Sequence, residues 1–389
     1  MTILSQGGLR LSKRDLKVFK VIEKFRYGTY SREQAALKLN VSLRTVTRKA
    51  KAIRKLGIEG LVHGNRGKPS KARKTPETRA WFIEIYKTRY YDFNVQHAFE
   101  TIFERHNPPE TISYDTFRRW LIEEGVNQAK RRRSSKARLH RERHANEGLM
   151  VQFDGSPHRY NGKDQWTLIH AIDDATGKIL GAEFQPSETT YGCMKVMSNL
   201  IEDYGIPEFI LTDCAGWSAK TGKRAQFSQF ERACNELDID IIATPNPQSK
   251  GRVERSFRTV QGRLVPELRL VGITNIQMAN HYLQQVFVPR YNQRFSVKPA
   301  SSTTRFRPLP TYIKLRDIFC MKHQRMVNRD HTVNFDGKRY KLTAPPKNLW
   351  KHEVTILVYH TGEMKIHLGD EPLEFAEIKV HKRRWQRGA

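Results

Sequence analysis

Asn246-Pro247-Gln248-Ser249-Lys250-Gly251-Arg252-Val253-Glu254 is a bent, glycine-containing loop that delivers a glutamate to the start of a helix. Two upstream aspartates complete the pattern. Asp154 closes the apolar run Leu149-Met150-Val151-Gln152-Phe153, and Asp213 closes Phe209-Ile210-Leu211-Thr212, so each carboxylate is expected where a short buried strand stops. Three acids in this order suit a divalent-metal site and phosphoryl transfer, because hard carboxylate oxygens match Mg²⁺ and leave room for water and substrate oxygens in its shell. Taken singly, each acid reads as a turn or helix-cap residue; the loop and the strand context join them.

On these residues the chain resembles the transposase and retroviral integrase superfamily, most strongly over residues 149–298. Its flanking segments look more like a bacterial insertion-sequence transposase than a viral integrase. The resemblance implies a ribonuclease H-like α/β catalytic core in which Asp154, Asp213 and Glu254 are the catalytic triad. It further implies two Mg²⁺ (or Mn²⁺) ions per active site, with Asp154 bridging both and Asp213 and Glu254 each completing one. Two such ions, about 3.5 to 4 Å apart, activate a water or 3′-hydroxyl and stabilise the departing oxygen. The interval from Asp213 to Glu254 is a little longer than the family's commonest, and the extra length is placed in Gly216-Trp217-Ser218-Ala219-Lys220-Thr221-Gly222-Lys223-Arg224.

Composition points to a polyanionic partner. A formal charge of +29 on 389 residues favours phosphate contacts and counterion release. Charge alone would equally suit a ribosomal or chromatin-like binder. Hydrophobic residues at 38% support cores for two to four domains, and nowhere do about 18 apolar residues run together. No membrane association is expected, and Met1–Gly8 lacks the layout of a signal peptide, so an intracellular site is expected, which the resemblance makes cytoplasmic, bacterial and nucleoid-associated. Cys193, Cys214, Cys234 and Cys320 are scattered without CxxC or matched histidine pairs, which argues against a disulfide framework and a zinc site.

The expected architecture is a multidomain α+β fold: N-terminal helix-turn-helix domains, the ribonuclease H-like core, and a small C-terminal β-barrel. Residues 1–62 read as a helix-turn-helix DNA-binding domain with three helices over 11–61. Ser31 and Gln34 have capping-box spacing, and 43–54 is the recognition helix, with Val46 and Ile53 inward and Arg44, Thr45, Thr47, Arg48 and Lys51 toward DNA. A helical bundle with a solvated basic face is the plainer alternative. Residues 63–74 form a basic linker whose Arg66 and Lys68 either enter a minor groove or merely space the domains. A second helix-turn-helix-like unit, 75–126, ends on a helix capped by Ser113, with Tyr114, Asp115, Arg118 and Arg119 outward and Phe117, Trp120 and Leu121 inward; a helical spacer is its alternative. The connector 127–148 carries Lys130, Arg131, Arg132 and Arg133, then Lys136, Arg138, Arg141 and Arg143, and is expected to stay solvated until DNA binds.

From 149 onward three strands should form an antiparallel meander, turning at Asn161-Gly162 and Asp174-Ala175-Thr176-Gly177. Helix 189–204, strand 208–213, helix 225–237, strand 239–243 and one long helical tail from 252 to about 295 should follow. Residues 320–380 alternate as short strands of a barrel, and 381–389 form a basic tail. Asp173 and Asp174 rival the triad, though their place beside Ala175-Thr176-Gly177 fits turn chemistry better. His158 is a candidate substrate contact; Lys250, Arg255 and Arg258 are candidate contacts to DNA.

The function this supports is a DNA transposase that binds transposon ends and performs metal-dependent strand cleavage and strand transfer. Double-stranded DNA, both ends and target, and a homo-oligomer of at least a dimer are the expected partners. The rivals are a sequence-specific repressor derived from a transposase, and a nuclease without joining activity.

Overall fold

The computed structural model describes residues 13–61, 73–127, 141–213, 228–244, 250–343 and 348–378, with the backbone of 3–4 and 10–11. The chain divides into two compact units, Met1–Ala80 and Trp81–Ala389. Among the described residues no helix is long and apolar enough to cross a membrane.

The first unit holds an antiparallel ribbon of β1 (Ile3–Leu4) and β2 (Arg10–Leu11), then α1 (Lys13–Arg26), α2 (Arg32–Leu39) and α3 (Leu43–Leu56). The Ser31 hydroxyl accepts from the Gln34 amide at 3.1 Å while the Gln34 side chain accepts from the Ser31 amide at 2.9 Å, so two orphan donors of α2 are satisfied reciprocally. Asn40, at φ 51°, closes α2 in the left-handed conformation that asparagine tolerates, and Ser42 caps α3. Ile22, Ala35, Val46 and Ile53 are fully or almost fully buried, which commits the opposite face of α3 to its cations.

The second unit begins inside α4 (Pro76–Arg89) and continues through α5 (Val95–Arg105) and α6 (Tyr114–Glu123), packed around Phe82, Tyr86, Tyr90, Phe93, Phe117 and Trp120. Its centre is a five-stranded mixed sheet. The strands are β3 (Met150–His158), β4 (Trp166–Asp173), β5 (Ile179–Gln185), β6 (Phe209–Thr212) and β7 (Asp240–Ala243), in the order β5-β4-β3-β6-β7. The first three pair antiparallel; β6 is parallel to β3, and β7 to β6. Helices cover both faces, so β4 is buried along its whole length. Its Ile169 and Ala171 enter one core with α7 (Thr190–Tyr204) and α8 (Gln229–Asn235), while Leu168 and Ile172 enter the other.

That second core is closed by α9 (Gly251–Leu270), α10 (Ile276–Tyr282), a π-turn at Leu283–Phe287 and α11 (Val288–Phe295). The single helical tail expected from 252 to 295 is therefore broken. Gly272, at φ 72°, ends α9, and Asn275 starts a new helix by accepting from the Met278 amide at 2.8 Å. Apolar periodicity survives the break because all the pieces face the same sheet. The α4–α6 bundle docks on α9 through His97 to Glu267 at 2.8 Å, Arg263 to Glu100 at 3.0 Å and a two-pronged Arg269–Asp92 pair at 2.7 Å.

The C-terminal strands depart from the expected closed barrel. After α12 (Leu315–Ile318), one sheet has the order β13-β12-β11-β8, from β8 (Met321–Met326), β11 (Glu353–Val358), β12 (Met364–Leu368) and β13 (Glu371–Leu373). A second sheet has β14-β10-β9, from β9 (Thr332–Phe335), β10 (Lys338–Leu342) and β14 (Phe375–Ile378). They share a core of Val333, Tyr340, Val354, Ile356 and Ile366, but among the described residues no ladder joins them. Alternating strands encode a buried face in either architecture; closure depends on edge pairing that no local pattern carries. The protein is thus a mixed α+β molecule.

Candidate active site

Strand parity places the first two acids. On β3, Val151 and Phe153 point into the α7–α8 core, so Gln152 and Asp154 share the α9 side. Parallel pairing of Gln152 with Leu211 then brings Asp213, immediately after β6, level with Asp154. Asp154 does not end its strand as expected. β3 continues through Gly155-Ser156-Pro157-His158, paired to β4 as far as Trp166, with exposure rising toward His158. The apolar run stops at Asp154 because burial stops there, while pairing goes on.

One buried cation joins the two carboxylates. Lys250 Nζ lies 3.3 Å from Asp154 Oδ2 and 3.5 Å from Asp213 Oδ2, and the lysine is 6% exposed. Lys250, expected to face DNA, is thus turned inward as a countercharge. Burial holds the Asp154 carboxyl above its ordinary range; Lys250 opposes this and the Asp213 charge adds to it. Lys250→Met should leave two carboxylates facing each other, lowering metal-free stability by about 2 kcal/mol. Thermal unfolding with and without Mn²⁺ checks this: the variant should melt earlier and gain more from the metal than the parent, and equal melting of the metal-free proteins would contradict it.

Glu254 sits in the first turn of α9 and is exposed. The helix start is tied to the central strand by the Val253 amide, which donates to Gln152 Oε1 at 3.0 Å. Among the described residues no three of His, Cys, Asp or Glu stand close enough together to hold a metal, so Asp154 and Asp213 converge while Glu254 stands apart from them. The Glu188 carboxyl, which the sequence did not single out, borders the site; a Cβ on Gly155 would lie 2.7 Å from it.

His170 also escaped notice, because a lone histidine in an apolar strand carries no signal. It pairs in register with Asp154, is fully buried, and faces Ser256 Oγ at 3.5 Å. Burial keeps its imidazole neutral, with a pKa pushed down to about 3. Its folded pKa lies below the unfolded one, so the unfolded chain binds the extra proton in acid. Stability is full above about pH 6.5 and falls on acidification, by up to about 3 kcal/mol at pH 4. Melting temperature against pH should fall less steeply between 6.5 and 4 in His170→Gln; parallel curves would remove His170 as the cause.

Asp173 serves its turn, accepting from the Thr176 amide and hydroxyl, both at 2.7 Å. His158 is exposed at the end of β3, its ring edge-on to Tyr160 at 5.2 Å. Arg255 and Arg258 are exposed on α9 as expected. On α3, Arg44, Thr47, Arg48 and Lys51 are exposed, whereas Thr45 is half-buried and engaged with the Ser42 hydroxyl at 2.9 Å. On α6, Arg118 and Arg119 face out, but Tyr114 is half-buried against Phe99, with ring centroids 5.9 Å apart. Arg141 and Arg143 of the connector are exposed, and they also bond to the Asp174–Ala175 turn. Arg66, Lys68, Lys130, Arg131, Arg132, Arg133, residues 246–249 and the loop 216–224 lie outside the described residues.

No family model matches the chain. Among curated proteins it is 34% identical over 347 residues to the transposase y4bF of Sinorhizobium fredii, covering 86% of this chain and 74% of that protein. It is 27% identical over 410 residues to the transposase for insertion sequence IS1202 of Streptococcus pneumoniae, covering 95% and 87%. Similar solved structures include a simian T-cell lymphotropic virus intasome (18% identity, TM-score 0.36, 69% of this chain and 90% of that one). Another is the HTLV-2 integrase catalytic core in complex with magnesium (19% identity, TM-score 0.30, 37% and 90%). At the identity and coverage of the first relative, the chain belongs to the transposases, enzymes of the polynucleotidyl-transferase kind.

Proposed function

We propose that this transposase binds the double-stranded ends of its element through its N-terminal helices and, at Asp154, Asp213 and Glu254, cleaves DNA strands and joins them to target DNA. The observation that carries this reading is the convergence of Asp154 and Asp213 on one buried positive charge, beside the helix start that bears Glu254. Two carboxylate oxygens within 3.3 and 3.5 Å of a single cation are a hard donor set, so these residues fit Mg²⁺ or Mn²⁺ in the place the Lys250 ammonium takes. Asp154 and Asp213 would hold the first ion and Glu254 would join them as a ligand from α9. When bound, two such ions supply an activated nucleophile and a stabilised leaving oxygen.

The chain's own residues do the rest. Asp154 is held in place by the Gly155 amide, which donates to its Oδ1 at 3.0 Å. The exposed Arg255 and Arg258 would take phosphates flanking the acids, and the Lys250 ammonium, once displaced from the carboxylates, would remain beside the scissile anion. Residues Arg44, Thr47, Arg48 and Lys51 would read or grip the element end. Two ends imply a homo-oligomer of at least two chains acting on both ends and the target.

A strand-transfer assay on labelled end DNA with Mg²⁺ or Mn²⁺ tests the proposal. Joined product that requires metal is expected. Hydrolysed DNA without joined product would make the protein a nuclease; end binding with no metal-dependent cleavage would make it a repressor.

A further inference from the structure

We infer that Asp174 is a positioning residue: its buried carboxylate anchors both the helix start that carries Glu254 and the basic connector that leads into the core. The inference rests on the proposed role of Glu254. Asp174 follows β4 directly and its side chain has no exposure. Oδ1 accepts from Gln152 Nε2 at 2.6 Å, from Arg252 Nη1 at 2.6 Å and from Arg141 Nη2, and Oδ2 accepts from the His144 amide at 3.1 Å.

These four partners belong to three different segments. Gln152 lies on β3 on the same side as Asp154, and its amide oxygen receives the Val253 N–H at 3.0 Å. Arg252 lies in the first turn of α9, in the same turn as Glu254, and its second nitrogen donates to the Arg141 carbonyl at 2.8 Å. Arg141 and His144 belong to the connector, and Arg143 adds bonds from Nη1 to the Asp174 and Ala175 carbonyls at 3.2 and 3.1 Å. One carboxylate therefore fixes β3, α9 and the connector against one another. Two of the four donors are guanidinium groups, so these bonds are charge-assisted and hold the three segments in a single geometry. Glu254 is exposed, and the position of its backbone is set by the turn that Arg252 and Val253 pin down.

The test uses the full-length protein with Asp174→Asn, Arg252→Gln and Arg252→Lys. Asparagine keeps an acceptor but removes the charge, and Arg252→Gln reports even if Asp174→Asn folds poorly. Expected are faster amide hydrogen exchange over residues 251–257, Mn²⁺ binding by calorimetry weakened about tenfold, and strand-transfer kcat lowered about 10- to 100-fold with KM for end DNA unchanged. Arg252→Lys should recover part of each, because it keeps a cation for Asp174. Folded Asp174→Asn and Arg252→Gln proteins with parental exchange and Mn²⁺ affinity would overturn the inference. A parent that shows no metal-dependent cleavage would defeat the proposed function instead, while the exchange data would still decide whether Asp174 anchors the α9 start.

Discussion

Glu254→Gln, Asp154→Asn and Asp213→Asn are each expected to lower strand transfer by at least about 10³-fold, with binding of end DNA unchanged. A thousandfold corresponds to about 4 kcal/mol of lost transition-state stabilisation. Each substitution keeps the shape of its side chain and removes one negative charge, so the effect isolates the charge that would hold a divalent ion. The candidate DNA contacts on α3 are left intact, which is why binding should survive. Metal-free stability should also survive in Asp154→Asn. Burial and the Asp213 charge already hold the Asp154 carboxyl above its ordinary range, and a neutral amide removes that repulsion. The same melting experiment should then show Mn²⁺ stabilising the parent and leaving Asp154→Asn unmoved. Parental activity in any one variant would remove that residue from the site.

The motif residues were legible because chemistry and local structure coincide in them. Asp213 falls at a strand end and Glu254 in a first helical turn, and both can be read from where apolar runs stop and a glycine loop begins. The caps at Ser31 and Ser113 were legible for the same reason, since a hydroxyl serving an amide three residues on is a local bond. What stayed hidden is non-local. Lys250 turns inward because two acids from different strands meet beneath it, and no spacing records that meeting. Arg141 and Arg143 stay exposed, but their bonds to the Asp174 turn come from across the fold. Tyr114 has an outward position in the helical repeat yet is drawn down by the Phe99 ring of a neighbouring helix. The break at Gly272 was masked because α9, α10 and α11 share one apolar surface on the sheet.

The second large effect is expected on α3. Replacing Arg44, Arg48 and Lys51 together with alanine should weaken end-DNA binding by about 10²- to 10³-fold near 0.1 M salt, and flatten the dependence of log K on log salt by roughly 0.9 per lost phosphate contact. All three side chains are exposed, while Val46 and Ile53 on the opposite face fill the core at 0% and 3% exposure, so the helix and its unit should fold unchanged. Alanine is also the better helix former, which removes lost helicity as an explanation. The comparison that gives the experiment its force is Arg118→Ala with Arg119→Ala on α6. Arg119 already spends its charge on Glu123 at 3.9 Å, one turn along the same helix, so this pair should cost less affinity and less salt slope. If the α3 and α6 variants lose equal affinity, α3 is not the principal reader. If the α3 variant binds ends as tightly as the parent with an unchanged slope, its basic face is a solvated surface and end recognition lies elsewhere in the chain.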